Sequence, residues 1–205
     1  MPPLTPESNA IRARNVTASE VGALLDKHPY TTPADIYARL SNPPLWEAMR
    51  DPQSEAMALG TYMEPYIARY AAQKLGLRLR ANSRTREHPR HNLCATPDYL
   101  VLGHRMLVEC KLSSVMYGWS EATLMPHIEW QARAQLAVTD RDVCIVAALV
   151  GSRFYSIEVV RDDIKERRML TAVDALVSLV VSGGPPPEPL ETKVSKITIG
   201  ATANG

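Results

Sequence analysis

The sequence predicts an α/β fold in which helices flank a mixed central β-sheet. Stretches with helical periodicity alternate with short apolar runs rich in β-branched residues, which is typical of a layered α/β domain. With 45% hydrophobic residues among 205, the chain can bury one full core, and nothing in it indicates a second. The longest apolar stretch is too short to cross a membrane. The amino end has no secretory signal pattern, so we expect a cytoplasmic protein.

The elements follow in a defined order. We predict helices at about 18–26, 33–40 and 52–75, strands at 77–87, 93–102 and 105–111, a helix through Gln131, strands at 143–150 and 154–160, and a helix at 162–181. Gly76 is a stop signal for the third helix, and Gly103 marks a turn between two strands. Residues 1–182 then form one domain. Residues 183–205 form a proline-rich linker and a strand-like tail, which folds back on its own subunit or docks on a neighbouring one.

Asp98 and the triplet Glu109-Cys110-Lys111 carry the strongest chemical signal. Residues two apart on a strand share a face, so Glu109 and Lys111 should point the same way. The turn at Gly103 should fold the two strands into an antiparallel pair in which Asp98 meets Glu109. Alternatively, Glu109 and Lys111 are an ordinary charged pair on a solvated strand face.

Two converging carboxylates repel each other unless a cation joins them, and oxygen ligands of this kind favour Mg²⁺ or Mn²⁺. Such an ion would stabilise charge on a phosphodiester and acidify a water molecule, which Lys111 could orient or deprotonate. The pattern therefore predicts a metal-dependent hydrolytic site.

Two helices should add to this site. Glu64 lies near the start of the third helix, and Gln131 and Gln135 lie one turn apart on a later one. The order of an acid on an early helix, Pro97-Asp98, Glu109-x-Lys111 and a glutamine-bearing helix resembles the PD-(D/E)xK nuclease superfamily. From about residue 12 to 179, the chain more narrowly resembles the lambda-type alkaline exonucleases of the YqaJ-like viral recombinase family.

That resemblance implies a restriction-endonuclease-like core and a 5'→3' exonuclease on linear double-stranded DNA. The enzyme would need Mg²⁺, replaceable by Mn²⁺ and with two ions per site, and would release mononucleotides and leave 3' single strands for phage-type recombination. The implied catalytic residues are Lys111, Glu109, Asp98, Glu64 and Gln131, and the implied metal ligands are Asp98, Glu109 and the backbone carbonyl of Cys110.

The same resemblance implies a homotrimer that works beside a single-strand annealing protein in a bacterial host, encoded by a phage or prophage. The glutamine helix departs from the family pattern: Gln131-Ala-Arg133 replaces a frequent Gln-x-Gln, so either Gln131, which we favour, or Gln135 fills the active-site role. Alternatives are a restriction-type or repair endonuclease of the superfamily, or a non-catalytic module that binds DNA ends.

The N-terminal motif has two interpretations. Thr17-x-x-Glu20 is a capping box for a helix. It also resembles the family's 5'-phosphate pocket, formed here by Arg12, Thr17 and Ser19, because a helix N-terminus and an arginine fork both bind phosphate. Met57 resembles the family position that wedges the duplex open; alternatively, it is a core methionine.

The remaining charged and metal-binding residue types give weaker signals. A net charge of +1 means that contacts with DNA must be local. One basic run offers such contacts or is simply a solvated edge strand: Arg78, Arg80, Arg84, Arg86 and Arg90, with Lys74 and His88. Three dispersed cysteines cannot form a Cas4-like iron–sulfur cluster, and we interpret them as reduced core residues. The histidines show no ligand spacing.

Overall fold

The structure is a computed structural model that describes residues 5–25, 28–45, 54–114, 118–120 and 123–187. The helices are α1 (Pro6–Arg14), a 3-10 helix (Val21–Leu25), α2 (Pro33–Ser41), α3 (Glu55–Leu75), α4 (Pro126–Thr139) and α5 (Asp163–Ser182). The strands are β1 (Val16–Thr17), β2 (Leu79–Ala81), β3 (Arg86–Glu87), β4 (Leu93–Ala95), β5 (Tyr99–Val101), β6 (Met106–Ser113), β7 (Val143–Val150) and β8 (Arg153–Val160).

The strands form two sheets. The larger has the order β2-β5-β6-β7-β8, and the smaller has the order β1-β4-β3. In the larger sheet β6 and β7 run parallel over eight residue pairs, from Met106↔Val143 to Ser113↔Val150, while the other neighbours are antiparallel. Parallel neighbours need a long crossover connection, and α4 lies in that connection. The mixed α/β sheet that the sequence predicted is therefore confirmed.

Both faces of the larger sheet are covered. Helix α3 buries Ile67, Ala68 and Ala71 against one face, together with Val108 and Ile145 of the sheet. Helix α4 buries Ile128, Ala132 and Leu136 against the other face, with Leu107 and Val146. A third cluster joins α4, α5 and the 3-10 helix to the smaller sheet. Strand β6 thus lies inside the protein, between two helical layers.

Two predicted strands are each divided in the structure. The run at 77–87 becomes β2 and β3, and the run at 93–102 becomes β4 and β5, with the two halves in different sheets. Asn82 explains the division: its side-chain amide donates to the carbonyls of Pro97 (2.8 Å) and Arg84 (3.1 Å). The buried amide ties both bends together, so each long run changes sheet at the same level.

The amino-terminal region also differs from the prediction. Of the helix predicted at 18–26, the described residues 18–25 contain a 3-10 helix at Val21–Leu25 and no α-helix. An unpredicted helix, α1, precedes it, with Thr5 as N-cap and Pro6 in its first turn, a common start signal that was available in the sequence. The predicted tail at 193–199 lies outside the described residues. In the described part of the chain, no helix has the length and hydropathy of a membrane span.

Candidate active site

Strand β6 carries Glu109 and Lys111 in the middle of the larger sheet. Asp98 directly precedes β5, one step beyond the antiparallel pair Tyr99↔Val108. Its carboxylate accepts a hydrogen bond from the backbone N–H of Cys110 at 2.8 Å. Asp98 therefore lies beside Glu109 and Cys110, as the spacing predicted.

Lys111, Glu109 and Gln131 form a closed triangle of hydrogen bonds. Lys111 Nζ donates to Glu109 Oε1 at 2.7 Å and to Gln131 Oε1 at 2.9 Å. Gln131 Nε2 donates to the same Glu109 oxygen at 2.6 Å. The side chain of Glu109 is only 4% exposed, so the alternative of a solvated surface pair is wrong. The triangle fixes the amine of Lys111 in one place.

Gln135 binds the second oxygen of Glu109. Its Nε2 donates to Glu109 Oε2 at 2.6 Å, and its Oε1 is 3.8 Å from the thiol of Cys144 on β7. Gln135 is 1% exposed. Both candidate glutamines therefore contact Glu109, but of the two it is Gln131 that also contacts Lys111.

Three acidic side chains influence one another at this site. Burial, followed by the charges of Glu109 and Glu64, raises the pKa of Asp98 well above its usual value. Burial and the nearby charge of Glu109 also raise the pKa of Glu64. Although burial alone would lower it, attraction to Glu109 and Asp98 keeps the pKa of Lys111 above its ordinary value. Burial and mutual repulsion therefore both disfavour the charged forms of Asp98 and Glu64.

These residues have the right chemistry for a hard divalent cation. Such an ion would be held by the carboxylates of Asp98 and Glu109, with Glu64 close by. As the side chains stand, Glu109 is turned to Lys111 and the two glutamines, and within the described residues no three acidic, histidine or cysteine side chains already surround one point. A cation must therefore compete with donors that Glu109 already has.

The predicted phosphate-binding residues lie around Arg39, which the sequence did not single out. Arg39 pairs with Glu20 at 2.7 Å and donates to the carbonyl of Arg12 at 2.7 Å. Glu20 accepts from the backbone N–H of Thr17 at 2.9 Å, as the capping box predicted. The hydroxyl of Thr17, however, donates to Glu20 at 2.9 Å rather than capping a backbone N–H, and it lies 3.1 Å from that of Ser19.

That part of the prediction was wrong because the backbone N–H of Glu20, which the hydroxyl was expected to cap, donates to the backbone carbonyl of Thr17 at 2.9 Å instead. Thr17 thus holds Glu20 in place. Whether Arg12 and Ser19 bind phosphate stays a prediction.

His28 and His127 are close to the site, although their sequence context gave no ligand pattern. Their rings meet edge to face with centroids 5.3 Å apart. Burial, His28 and Lys111 lower the pKa of His127 to about 4. His127, Gln131 and Gln135 follow one another at intervals of four residues on α4. That spacing was visible in the sequence and could have placed His127 on the active-site face.

Other candidate residues have mixed surroundings. Met57 is 63% exposed, so it is not a core methionine, and its wedge role stays a prediction. All five arginines of the basic run are exposed, while His88 is buried. Cys94 and Cys144 are buried, and all three cysteines are free, as expected.

Solved structures share this architecture. The alkaline exonuclease LHK-Exo from Laribacter hongkongensis matches 87% of this chain and 94% of its own, with a TM-score of 0.70 and 22% identity. The same enzyme in complex with dAMP gives a TM-score of 0.72 at 22% identity and the same coverage. A phage-related exonuclease from Haemophilus somnus 129PT gives a TM-score of 0.64 at 12% identity, covering 85% of this chain and 98% of that one. The fold is therefore the restriction-endonuclease-like fold of nucleases.

The sequence comparison gives the family. The domain model of the YqaJ-like viral recombinases matches residues 9–142, well over half of the chain, and the protein belongs to that family. The curated "Uncharacterized protein YqaJ" of Bacillus subtilis (strain 168) is 23% identical over 159 residues, which are 74% of this chain and 49% of that protein. The chain thus spans about half the length of that relative.

Proposed function

We propose that the protein is a Mg²⁺-dependent 5'→3' exonuclease that degrades one strand of linear double-stranded DNA to mononucleotides. The 3' single strands that remain would serve phage-type recombination. The observation that carries this proposal is the triangle of Lys111, Glu109 and Gln131 beside Asp98 on the neighbouring strand. The direction of cleavage is what the resemblance to the lambda-type alkaline exonucleases implies, and the exonuclease LHK-Exo, which shares the fold, supports the reaction class.

Each residue has a role that follows from its surroundings. Asp98, Glu109 and the carbonyl of Cys110 would hold the cation, with Glu64 as an additional acid. When bound, such a cation, Mg²⁺ or Mn²⁺ with two ions in the complete site, would supply positive charge for the reacting phosphodiester and would acidify a water molecule. Lys111, which Glu109 and Gln131 hold in place, would orient or deprotonate that water. Gln135 keeps the carboxylate of Glu109 in its orientation.

The proposal is tested by incubating linear and covalently closed duplexes with the protein, with Mg²⁺ or with EDTA. We expect mononucleotides from the linear duplex in Mg²⁺ alone and an intact closed circle. Nicking of the circle would instead support a restriction-type or repair endonuclease. Binding of linear ends without cleavage under all conditions would support a non-catalytic end-binding module.

The working unit in this proposal is a homotrimeric ring, because a domain with a net charge of +1 has few phosphate contacts that survive at physiological salt. A closed ring holds its DNA by topology. Head-to-tail contacts generate such closure, and the segment after Gly184 is the candidate for docking on a neighbour. Light scattering of the full chain and of a chain truncated after Gly184 should give a trimer and a smaller species, respectively. A monomeric full chain would exclude the ring.

Two further parts of the proposal concern the cell. The 3' strands need an annealing protein, so we expect a single-strand annealing protein as partner, in the cytoplasm of a bacterium that carries the phage or prophage. Co-purification of such a protein with the full chain, in the absence of DNA, would test this. If the annealing protein and the full chain are mixed and elute as two separate species, a direct complex is contradicted.

A further inference from the structure

Helix α3 exposes a row of tyrosines. Tyr62, Tyr66 and Tyr70, which we call the tyrosine stripe, follow one another at intervals of four residues and are 67%, 50% and 52% exposed. Residues at this spacing lie on one face of a helix. The rings of Tyr62 and Tyr66 lie 6.0 Å apart. The stripe is therefore a continuous aromatic surface.

Packing of the fold does not account for this stripe. The opposite face of α3 packs against the sheet through Ile67, Ala68 and Ala71. The three tyrosines leave half or more of their surface in solvent, and an aromatic row of this kind usually marks an interaction site.

Positive charge accompanies the aromatic rings. The guanidinium of Arg69 lies 5.7 Å from the ring centroid of Tyr66. Lys74 Nζ lies 5.9 Å from the ring of Tyr70 and 5.4 Å from that of Phe154. Between residues 56 and 75, Glu64 is the only acidic residue of the sequence, and it is buried. The exposed face of this stretch is thus aromatic and cationic.

The stripe lies on the helix that carries Glu64 to the candidate active site. Glu64 lies between Tyr62 and Tyr66 in the sequence but on the buried face, which also packs against Val108, the neighbour of Glu109. At 1.5 Å per residue, the stripe extends about 12 Å along the opposite face, from Tyr62 to Tyr70. At that end Tyr70 meets Phe154, with ring centroids 4.9 Å apart. The surface therefore follows α3 to the start of β8.

We propose that the tyrosine stripe, with Arg69 and Lys74, binds single-stranded DNA next to the active site. The inference rests on the proposed function, because that reaction leaves a single strand at the enzyme. Unpaired bases stack on aromatic side chains and their phosphates pair with nearby cations, without regard to sequence. A duplex hides its base faces, so it cannot use this surface in the same way. Between residues 56 and 75 the exposed face of α3 carries no acidic side chain, and its exposed acid, Glu55, lies in the first turn of the helix. This charge distribution suits a polyanion better than a second copy of the chain.

The test measures binding of the full chain to a fluorescein-labelled oligothymidylate of about 20 nucleotides, in EDTA so that no cleavage occurs. Stacking of one base is worth a factor of about 5 to 150 in affinity. Tyr62→Ala, Tyr66→Ala and Tyr70→Ala should therefore each weaken binding at least about fivefold. Tyr66→Phe should keep native affinity. Ile164→Ala, which removes another exposed apolar side chain (74% exposed) on α5, is the matched control.

Two companion measurements separate the possible outcomes. Light scattering of each variant should give the mass of the native protein; a lower mass in the alanine variants would show that the stripe joins copies of the chain and would overturn the proposal. Unchanged affinity for the oligonucleotide would overturn it as well. Nuclease activity of the native protein on linear duplex in Mg²⁺ is scored separately. A native protein without nuclease activity would refute the proposed function, while the loss of strand binding in the variants would still support the stripe.

Discussion

Replacement of Gln135 by methionine isolates the hydrogen bond that orients Glu109. Gln135 is buried, and its amide donates to Glu109 Oε2 at 2.6 Å. Methionine has a similar volume but cannot donate a hydrogen bond. Glu109 Oε2 therefore loses the bond from residue 135, while Lys111 and Gln131 still bind Glu109 Oε1. Hydrogen bonds to charged groups contribute about 1.5–3 kcal/mol. In a protein of this size, each kcal/mol shifts Tm by about 2–4 °C, so we expect a fall of about 3–12 °C in thermal denaturation.

Gln131→Met is the matched comparison. Gln131 is partly exposed and contacts Lys111 as well as Glu109. Gln131→Met should therefore lower kcat more than Gln135→Met does, and should lower Tm less. Thermal denaturation in EDTA and initial rates on linear duplex in Mg²⁺ measure the two effects for both variants. A Gln135→Met protein with native Tm would refute the reasoning, because the buried bond to Glu109 would then contribute nothing to stability.

Three further predictions address the charges, the DNA end and the thiols. Lys111→Ala should reduce kcat by about two orders of magnitude or more while DNA binding, measured by anisotropy in EDTA, survives; a near-native rate would exclude Lys111 from the chemistry. Linear duplex with 5'-hydroxyl ends should be degraded more slowly than the 5'-phosphorylated form. Arg12→Ala should reduce this difference in rate, whereas the control Arg14→Ala should leave it unchanged. Equal rates on both kinds of end with the native protein would show that no 5'-phosphate pocket exists. Burial raises the pKa of Cys94 to about 12 and that of Cys144 well above its usual value. Both thiols should therefore resist alkylation at pH 8 until the protein is unfolded, and rapid labelling of the native protein would contradict their burial.

Local patterns in the sequence were sufficient to predict the core of the site. Glu109 and Lys111 share a face because of strand periodicity, and a single turn at Gly103 sets Asp98 against them. Both features depend on residues close together in the chain, and Asp98 does lie against β6, where its carboxylate accepts from the backbone N–H of Cys110, next to Glu109. The interval of four residues likewise placed Gln131 and Gln135 on one face, and both contact Glu109.

Features that depend on distant contacts were not predictable in the same way. Asn82 meets Pro97 across fifteen positions, and this contact fixes where both predicted strands divide between two sheets. Pro97 itself is a local break signal in the second run, but it does not reveal the partner in the first. Arg39 organises the amino-terminal motif through Glu20 and Arg12, yet its own surroundings in the sequence resemble those of any surface helix. The contact of His127 with His28 was missed for a similar reason, because it joins two segments far apart in the chain, although the interval of four residues from His127 to Gln131 was visible in the sequence.

The parallel pairing of β6 with β7 also determines when the site forms during protein synthesis. The strand that bears Glu109 and Lys111 leaves the ribosome before α4, which supplies Gln131 and Gln135, and before β7, which pairs with it along its length. Until about residue 150 has emerged, the nascent chain carries the acids and the lysine without the elements that hold them. The candidate active site is thus complete only when most of the domain has been translated.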